Sequence, residues 1–246
     1  MRAARAAALL TAAGIGALAA GCAAPPAAPV SVSAAAPDLP AGWSEFTLPG
    51  KRRTRYLAVR DGAQLVVQAD ADGSASMLRR PLQIDPSRLG QVQFSWRIDD
   101  VIADADLSVA ERSDSPVRVL FAFDGDRSTL SLRNRAVFEL AETLTGEPPP
   151  YATLMYVWDN RAARESLFSG HRTDRVRKIV VESGAAHRGQ WLHYQRDLVA
   201  DFRRAFGEAP GRLIGVALMT DADNTGSRAS GRYGEVRLIG RDGSAL

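Results

Sequence analysis

Strict two-residue alternation in short runs is what most limits how this chain folds. In residues 91–98 the apolar Val92, Phe94, Trp96 and Ile98 share one face of an extended strand, and Gln91, Gln93, Ser95 and Arg97 share the other. Residues 116–124 repeat the pattern, with Val117, Val119, Phe121 and Phe123 facing one way and Arg118, Leu120, Ala122 and Asp124 the other. In residues 151–158, Leu154, Tyr156 and Trp158 fall together. A helix cannot use such a period, because it would scatter the apolar residues around its axis. Half-buried strands can.

Further runs extend the reading. Residues 54–59 and 64–69 flank Arg60-Asp61-Gly62-Ala63, and Asp-Gly between β-rich segments signals a hairpin. Short strands are expected at 43–47, 76–80, 176–182, 191–196 and 233–239. Two segments break the pattern. Val137, Phe138, Leu140, Ala141 and Leu144 keep helical spacing between Leu132 and Leu144, before Gly146 and the prolines 148–150. Asp197 can cap a second helix that runs to Phe206 and ends at Gly207. About ten strands at this spacing, with two short helices in loops, predict an all-β jelly-roll sandwich. Long polar loops are expected at 99–115 and 159–174.

The most buried strand on this reading leads into the most polar loop. Residues 213–221 are apolar in both parities, and Asp221-Ala222-Asp223-Asn224-Thr225-Gly226 follows. That loop begins like an EF-hand, but Thr225 stands at the fifth place and Arg232 at the twelfth, where a bidentate Glu is needed. An EF-hand is therefore excluded. Three readings remain: Asx turns that lock the loop, contact with a ligand, and a looser calcium site built from side-chain oxygens.

Residues 1–21 read as a secretory leader. Arg2 and Arg5 form a positive start, 6–18 an apolar core, and Ala19-Ala20-Gly21 a small-residue cleavage region before Cys22. The apolar run is short for a membrane span. A lone cysteine directly after small residues resembles the bacterial lipoprotein signal, although Ala19 stands where leucine is usual. The resemblance implies acylation of Cys22 and a lipid anchor, with outer-membrane sorting because Ala23 is not an aspartate. Residues 22–40, rich in alanine and proline, read as a tether, and 41–246 as one domain.

Composition excludes several functions. One cysteine rules out an internal disulfide, and with three histidines it leaves no zinc site. Without Arg2 and Arg5 the formal charge falls to about +1, which is no nucleic-acid footprint. No G-x-S-x-G elbow is present.

Several stretches together resemble one bacterial family, the domain of unknown function numbered 3047. They are Phe94-Ser95-Trp96-Arg97, residues 118–124, 151–158, 178–184 and 201–208, and the run from Gly215 to Gly226. The resemblance implies a jelly roll similar to galactose-binding-like and carbohydrate-binding modules, and carries no established activity.

Candidate ligand-binding residues follow from the strand faces. If the faces bearing Arg97, Arg118 and Asp124 form one concave surface, they line a polar groove, with Tyr156 or Trp158 as a platform for a sugar ring and Asp221, Asp223 and Asn224 at its rim. Trp96 is assigned to the core. The expected role is a non-catalytic envelope binding module for a saccharide or similar polar ligand, needing no cofactor unless calcium binds. One alternative is an assembly lipoprotein that docks an envelope protein. Another is a polysaccharide lyase or hydrolase, using His193 with Tyr156 or carboxylates among Asp124, Glu139 and Asp221.

Overall fold

A computed structural model describes residues 39–246. Cys22, the leader at 1–21 and nearly all of the 22–40 tether lie outside the described residues. Thirteen strands and two α-helices follow in order: β1 Ser44–Thr47, β2 Arg55–Asp61, β3 Gln64–Asp72, β4 Ser76–Ile84, β5 Leu89–Ile98, β6 Ser115–Phe123, α1 Leu132–Thr145, β7 Ala152–Asp159, β8 Leu167–Ser169, β9 Val176–Ser183, β10 Leu192–Asp197, α2 Leu198–Phe206, β11 Leu213–Asp221, β12 Arg228–Tyr233 and β13 Arg237–Gly240. They form the expected all-β jelly-roll sandwich with both helices in connections.

One sheet has seven strands in the order β1-β4-β11-β6-β7-β9-β8, and the other runs β10-β5-β12-β3-β2, with β13 also on β5. Only β7 and β9 pair in parallel; every other pairing is antiparallel. The alternation of β5, β6 and β7 has a direct consequence. Each strand turns its aromatic face inward, so Phe94, Trp96, Phe121, Tyr156 and Trp158 meet between the sheets. Phe94 stacks on Tyr156 at 5.5 Å, Phe121 meets Tyr156 edge-on at 5.5 Å, and Trp96 lies 6.4 Å from Trp158. Such ring pairs add about 0.5–1.5 kcal/mol each to the gain from burial.

Local chemistry fixes the helices where the sequence placed them. Ser131 Oγ accepts from the Asn134 amide at 3.2 Å at the start of α1, and Gly146 ends it at φ 76°, a left-handed turn that a side chain would strain. Asp197 accepts from the Ala200 amide at 2.8 Å and starts α2.

Three features differ from the sequence reading. The loop 159–174 contains the short β8, whose Leu167-Phe168-Ser169 offers too few residues for a period to show. The final strand is two, β12 and β13, which lie end to end along β5. The break is at Gly234, whose amide donates to Ser95 O at 3.0 Å; a Cβ there would meet Ser95 Oγ at 2.2 Å. The segment 99–114, expected as a long polar loop, has apolar residues packed against the sheets. It buries Ile102 with Ala71, Ala105, Ala222 and Ala229, and Leu107 on Val157 and Val180, so it wraps onto the outer side of the seven-stranded sheet.

Trp158 is wholly buried, and its indole N–H donates to Gly184 O at 2.9 Å. Trp158→Ala is therefore expected to lower stability by about 3–5 kcal/mol in urea denaturation. An unchanged midpoint would exclude this core role.

Candidate functional site

The residues expected to share one groove separate onto different parts of the fold. Arg97 on β5 and Arg118 on β6 both point away from their strands' aromatics, but those strands belong to different sheets. Each arginine therefore points out of its own sheet, and the two lie on opposite sides of the sandwich. This corrects the expectation of a common concave surface. Tyr156 and Trp158 are sealed in the core, with no exposed surface, and serve as no sugar platform. The Tyr156 hydroxyl donates to Asp201 Oδ2 at 2.8 Å, which also removes it from any partnership with the outward-facing His193. Asp124 is exposed at the end of β6, in a small surface hollow beside Pro86, Gly211 and Arg212.

Arg118 instead joins a buried ionic cluster under the 99–114 segment. It donates to Ser113 O at 2.6 Å and pairs with Asp221 at 2.8 Å, both side chains about 95% buried. Lys178 on β9 donates to Ser113 Oγ at 2.7 Å, and Lys51 pairs with Asp223. Burial raises the Asp221 carboxyl against the pull of Arg118, and Asp223 beside it is held low. Asp114 accepts from the amides of Asn224 and Thr225 at 3.2 and 2.8 Å and from the Thr225 hydroxyl at 2.7 Å. The loop after β11 is thus locked, as one of its three sequence readings held, but by a carboxylate from a distant segment. Asn224 is exposed and Asp223 half-buried. Asp114, Asp221 and Asp223 bring their oxygens within 4.8 Å of one another, close enough to hold a cation. Arg118 and Lys51 already pair with two of those carboxylates, and Lys178 stands beside the same cluster. A divalent ion would have to displace them, so the arrangement fits an internal charge network.

The open polar surface is on the other side, on the outer face of the six-stranded sheet. Gln93 and Ser95 of β5 sit opposite Gln195 and His193 of β10. Gln64 and Leu65 from the β2–β3 hairpin and Glu235 and Arg237 after the Gly234 break also line the hollow. The hollow measures ≈ 560 Å³. Its floor carries a carboxamide chain, in which Gln93 donates to Gln195 at 2.9 Å and Gln195 donates to Gln91 at 2.6 Å. Among the lining residues Arg237 donates to Glu235 at 2.7 Å. Leu65 is a large apolar side chain left 47% exposed there. Of the residues named from sequence, Arg97 belongs to this face, two places beyond Ser95 on β5, and His193 lines the hollow, apart from the buried Tyr156 expected beside it. The glutamines were legible as the polar phase of residues 91–98. What hid the site was that its second row comes from β10, about a hundred residues away, and pairing across such a distance leaves no local pattern.

Comparisons with known proteins give one family match and some distant structural likenesses. A family model described as "Protein of unknown function (DUF3047)" matches residues 41–237. No curated protein matches the chain. Among solved structures, the family 11 carbohydrate-binding module of a cellulosomal cellulase of Clostridium thermocellum is similar, with 11% identity over 81% of this chain and 88% of that one, at a TM-score of 0.39. The xyloglucanase domain of a type three effector from Sinorhizobium fredii shows 9% identity over 81% and 93%, at 0.42.

The buried cluster gives a pH signature. Burial, with Arg118 adding to it, pushes the Lys178 ammonium down to about 7, against the pull of Asp221, Asp159 and Asp114. An unfolded lysine titrates near about 10.4. Between those values the unfolded chain binds more protons, so this group makes stability rise with pH across the window. Lys178→Met is expected to flatten that rise. Urea midpoints at roughly pH 7 and 9.5 check it, and equal changes in both proteins would exclude it.

Proposed function

We propose that this chain, which on the family match belongs to the DUF3047 family, is a non-catalytic binding module whose carboxamide-floored groove takes a saccharide chain. The single observation that carries the reading is the ladder Gln93–Gln195–Gln91 on a rigid sheet. Each carboxamide has two donor hydrogens and a two-lone-pair oxygen. The Gln91 amide and the Gln93 carbonyl oxygen are left without a partner at the two ends of the ladder, among the described residues. Ser95, His193 and Gln64 add hydroxyl, imidazole and amide groups around them. Vicinal hydroxyls donate and accept in turn, and such a mixed surface matches them better than it matches a lipid or a nucleotide. Leu65 offers the groove an apolar contact for the C–H face of a ring.

Catalysis finds less support. The carboxylate lining the groove, Glu235, is bound to Arg237, and the expected carboxylates Asp124, Glu139 and Asp221 lie apart from the groove. The leader and Cys22 support placing the module on a lipid anchor in the cell envelope, facing the periplasm or the surface. A second reading, docking of an envelope protein, is favoured by α1. Leu132, Leu140 and Leu144, eight and four residues apart along the helix, are 82, 60 and 59% exposed.

Titration calorimetry and a glycan array spanning cell-wall, lipopolysaccharide and plant glycans test the first reading. The double variant Gln93→Ala/Gln195→Ala is expected to bind roughly tenfold more weakly, the equivalent of one or two lost hydrogen bonds, with an unchanged melting temperature. Absence of binding to every glycan class excludes the module. Loss of a cross-linked envelope partner in Leu140→Glu, with glycan binding intact, would support docking in addition.

A further inference from the structure

Beyond Ser95 on β5, next to the residues that line the groove, the outer face of the sheet holds a charge arrangement that the amide floor does not require. Arg97 on β5 is directly opposite Arg232 on β12. Like charges in register across two strands are destabilising, so such a pair needs a reason or a counter-charge. Asp61, at the end of β2, supplies part of one. A single oxygen, Oδ2, takes the Arg232 guanidinium at 3.1 Å, the Trp191 indole N–H at 3.1 Å and the Arg97 guanidinium at 3.6 Å. The indole donor first, and then Arg232, hold the Asp61 carboxyl below its ordinary range. One negative charge is thus shared between two positive ones, and the group carries a surplus of +1.

The hydrogen-bonding account is also open. The Asp61 contact of Arg97 is an ion pair longer than a hydrogen bond, and Arg97 donates no hydrogen bond to any described residue. Its Nε, and that of Arg232, are screened from water without an acceptor. Yet 29% of the Arg97 side chain and 28% of the Arg232 side chain stay exposed. A guanidinium presents five N–H donors in a planar fork. Among the described residues the Arg97 donors meet no hydrogen-bond acceptor, and part of each arginine side chain stays open to solvent on the outer face of the sheet. Arg97 stands two residues beyond Ser95 on the same strand face, about 7 Å along β5, and so continues the line of the carboxamide floor.

We propose that the Arg97–Arg232 pair is an anion subsite of the groove, and that the ligand is an acidic saccharide whose carboxylate caps the two guanidinium groups. The inference rests on the saccharide reading of the groove. A carboxylate fits in two ways. Its two oxygens match the guanidinium fork, and its single charge matches a surplus of +1, where a phosphate ester would bring close to two charges. The Trp191 indole N–H holds Asp61, while both arginine side chains stay partly exposed.

The test compares a galacturonate hexamer with its fully methyl-esterified form, which removes charge and keeps the chain, by calorimetry on the detergent-solubilised full chain. The acid form is expected to bind at least tenfold more tightly, and the advantage to shrink as salt is raised. Arg97→Met is expected to erase the difference and leave the affinity for the ester unchanged. Asp61→Asn doubles the surplus and is expected to tighten the acid form further; since it acts by gain, a folding defect cannot mimic it. Equal affinities for the two hexamers, with Gln93→Ala/Gln195→Ala weakening both, overturn the anion subsite and leave the groove. An acid preference that survives Arg97→Met also overturns it. Binding of neither hexamer overturns this inference. Should the neutral glycans of the array bind all the same, the groove reading stands without it; should they fail too, both fall.

Discussion

The interlocking of aromatic rings between two sheets is the interaction on which the rest of the molecule depends. Phe94, Trp96, Phe121, Tyr156 and Trp158 come from three strands in two sheets, and each owes its place to a period of two. Once those faces are committed to the interior, the alternate residues have no choice of side. Arg97 and the glutamines of β5 must look outward from one sheet, and Arg118 outward from the other. Function has to be sought on two separate surfaces with different coverings.

The two surfaces are finished in opposite ways. The seven-stranded sheet is overlaid by the 99–114 segment, and Arg118, Lys178, Asp114 and Asp221 beneath it are almost dry. There Arg118 meets a carboxylate and a backbone oxygen, Lys178 meets the Ser113 hydroxyl, and the gain is in fixing the overlying chain. Losing one partner would leave a buried charge uncompensated, which is far costlier than the pair is stabilising. The six-stranded sheet has no such cover over β5 and β10. Its polar groups satisfy one another in a ladder and keep free valences toward solvent, the condition for exchanging water for a ligand without a large desolvation penalty.

Most of the framework was legible in the sequence. The alternating runs placed β5, β6 and β7, helical spacing placed α1, Asp197 and Gly207 placed α2, and the apolar β11 is indeed central, between β4 and β6. Assignment of Trp96 to the core held. Trp158 has the same side-chain character and the same period, and it is core for the same reason. The open groove was only half legible, because a strand pattern states which residues share a face but not which sheet that face belongs to. Sheet membership is decided by pairings such as Gln93 with Gln195 and Arg97 with Arg232, across separations of about 100 and 135 residues. The locking of the Asp221–Gly226 loop by Asp114 was invisible for the same reason: the capping carboxylate lies 110 residues from its amide partners.

The break at Gly234 has a consequence for how such a surface diversifies. β12 and β13 lean on the same neighbour, one after the other, and the joint between them lines the hollow. Residues inserted at that joint would lengthen an overhang while both ladders kept their registers. The fold therefore contains a place where the contour of its polar surface is free to change without loosening the scaffold that holds it.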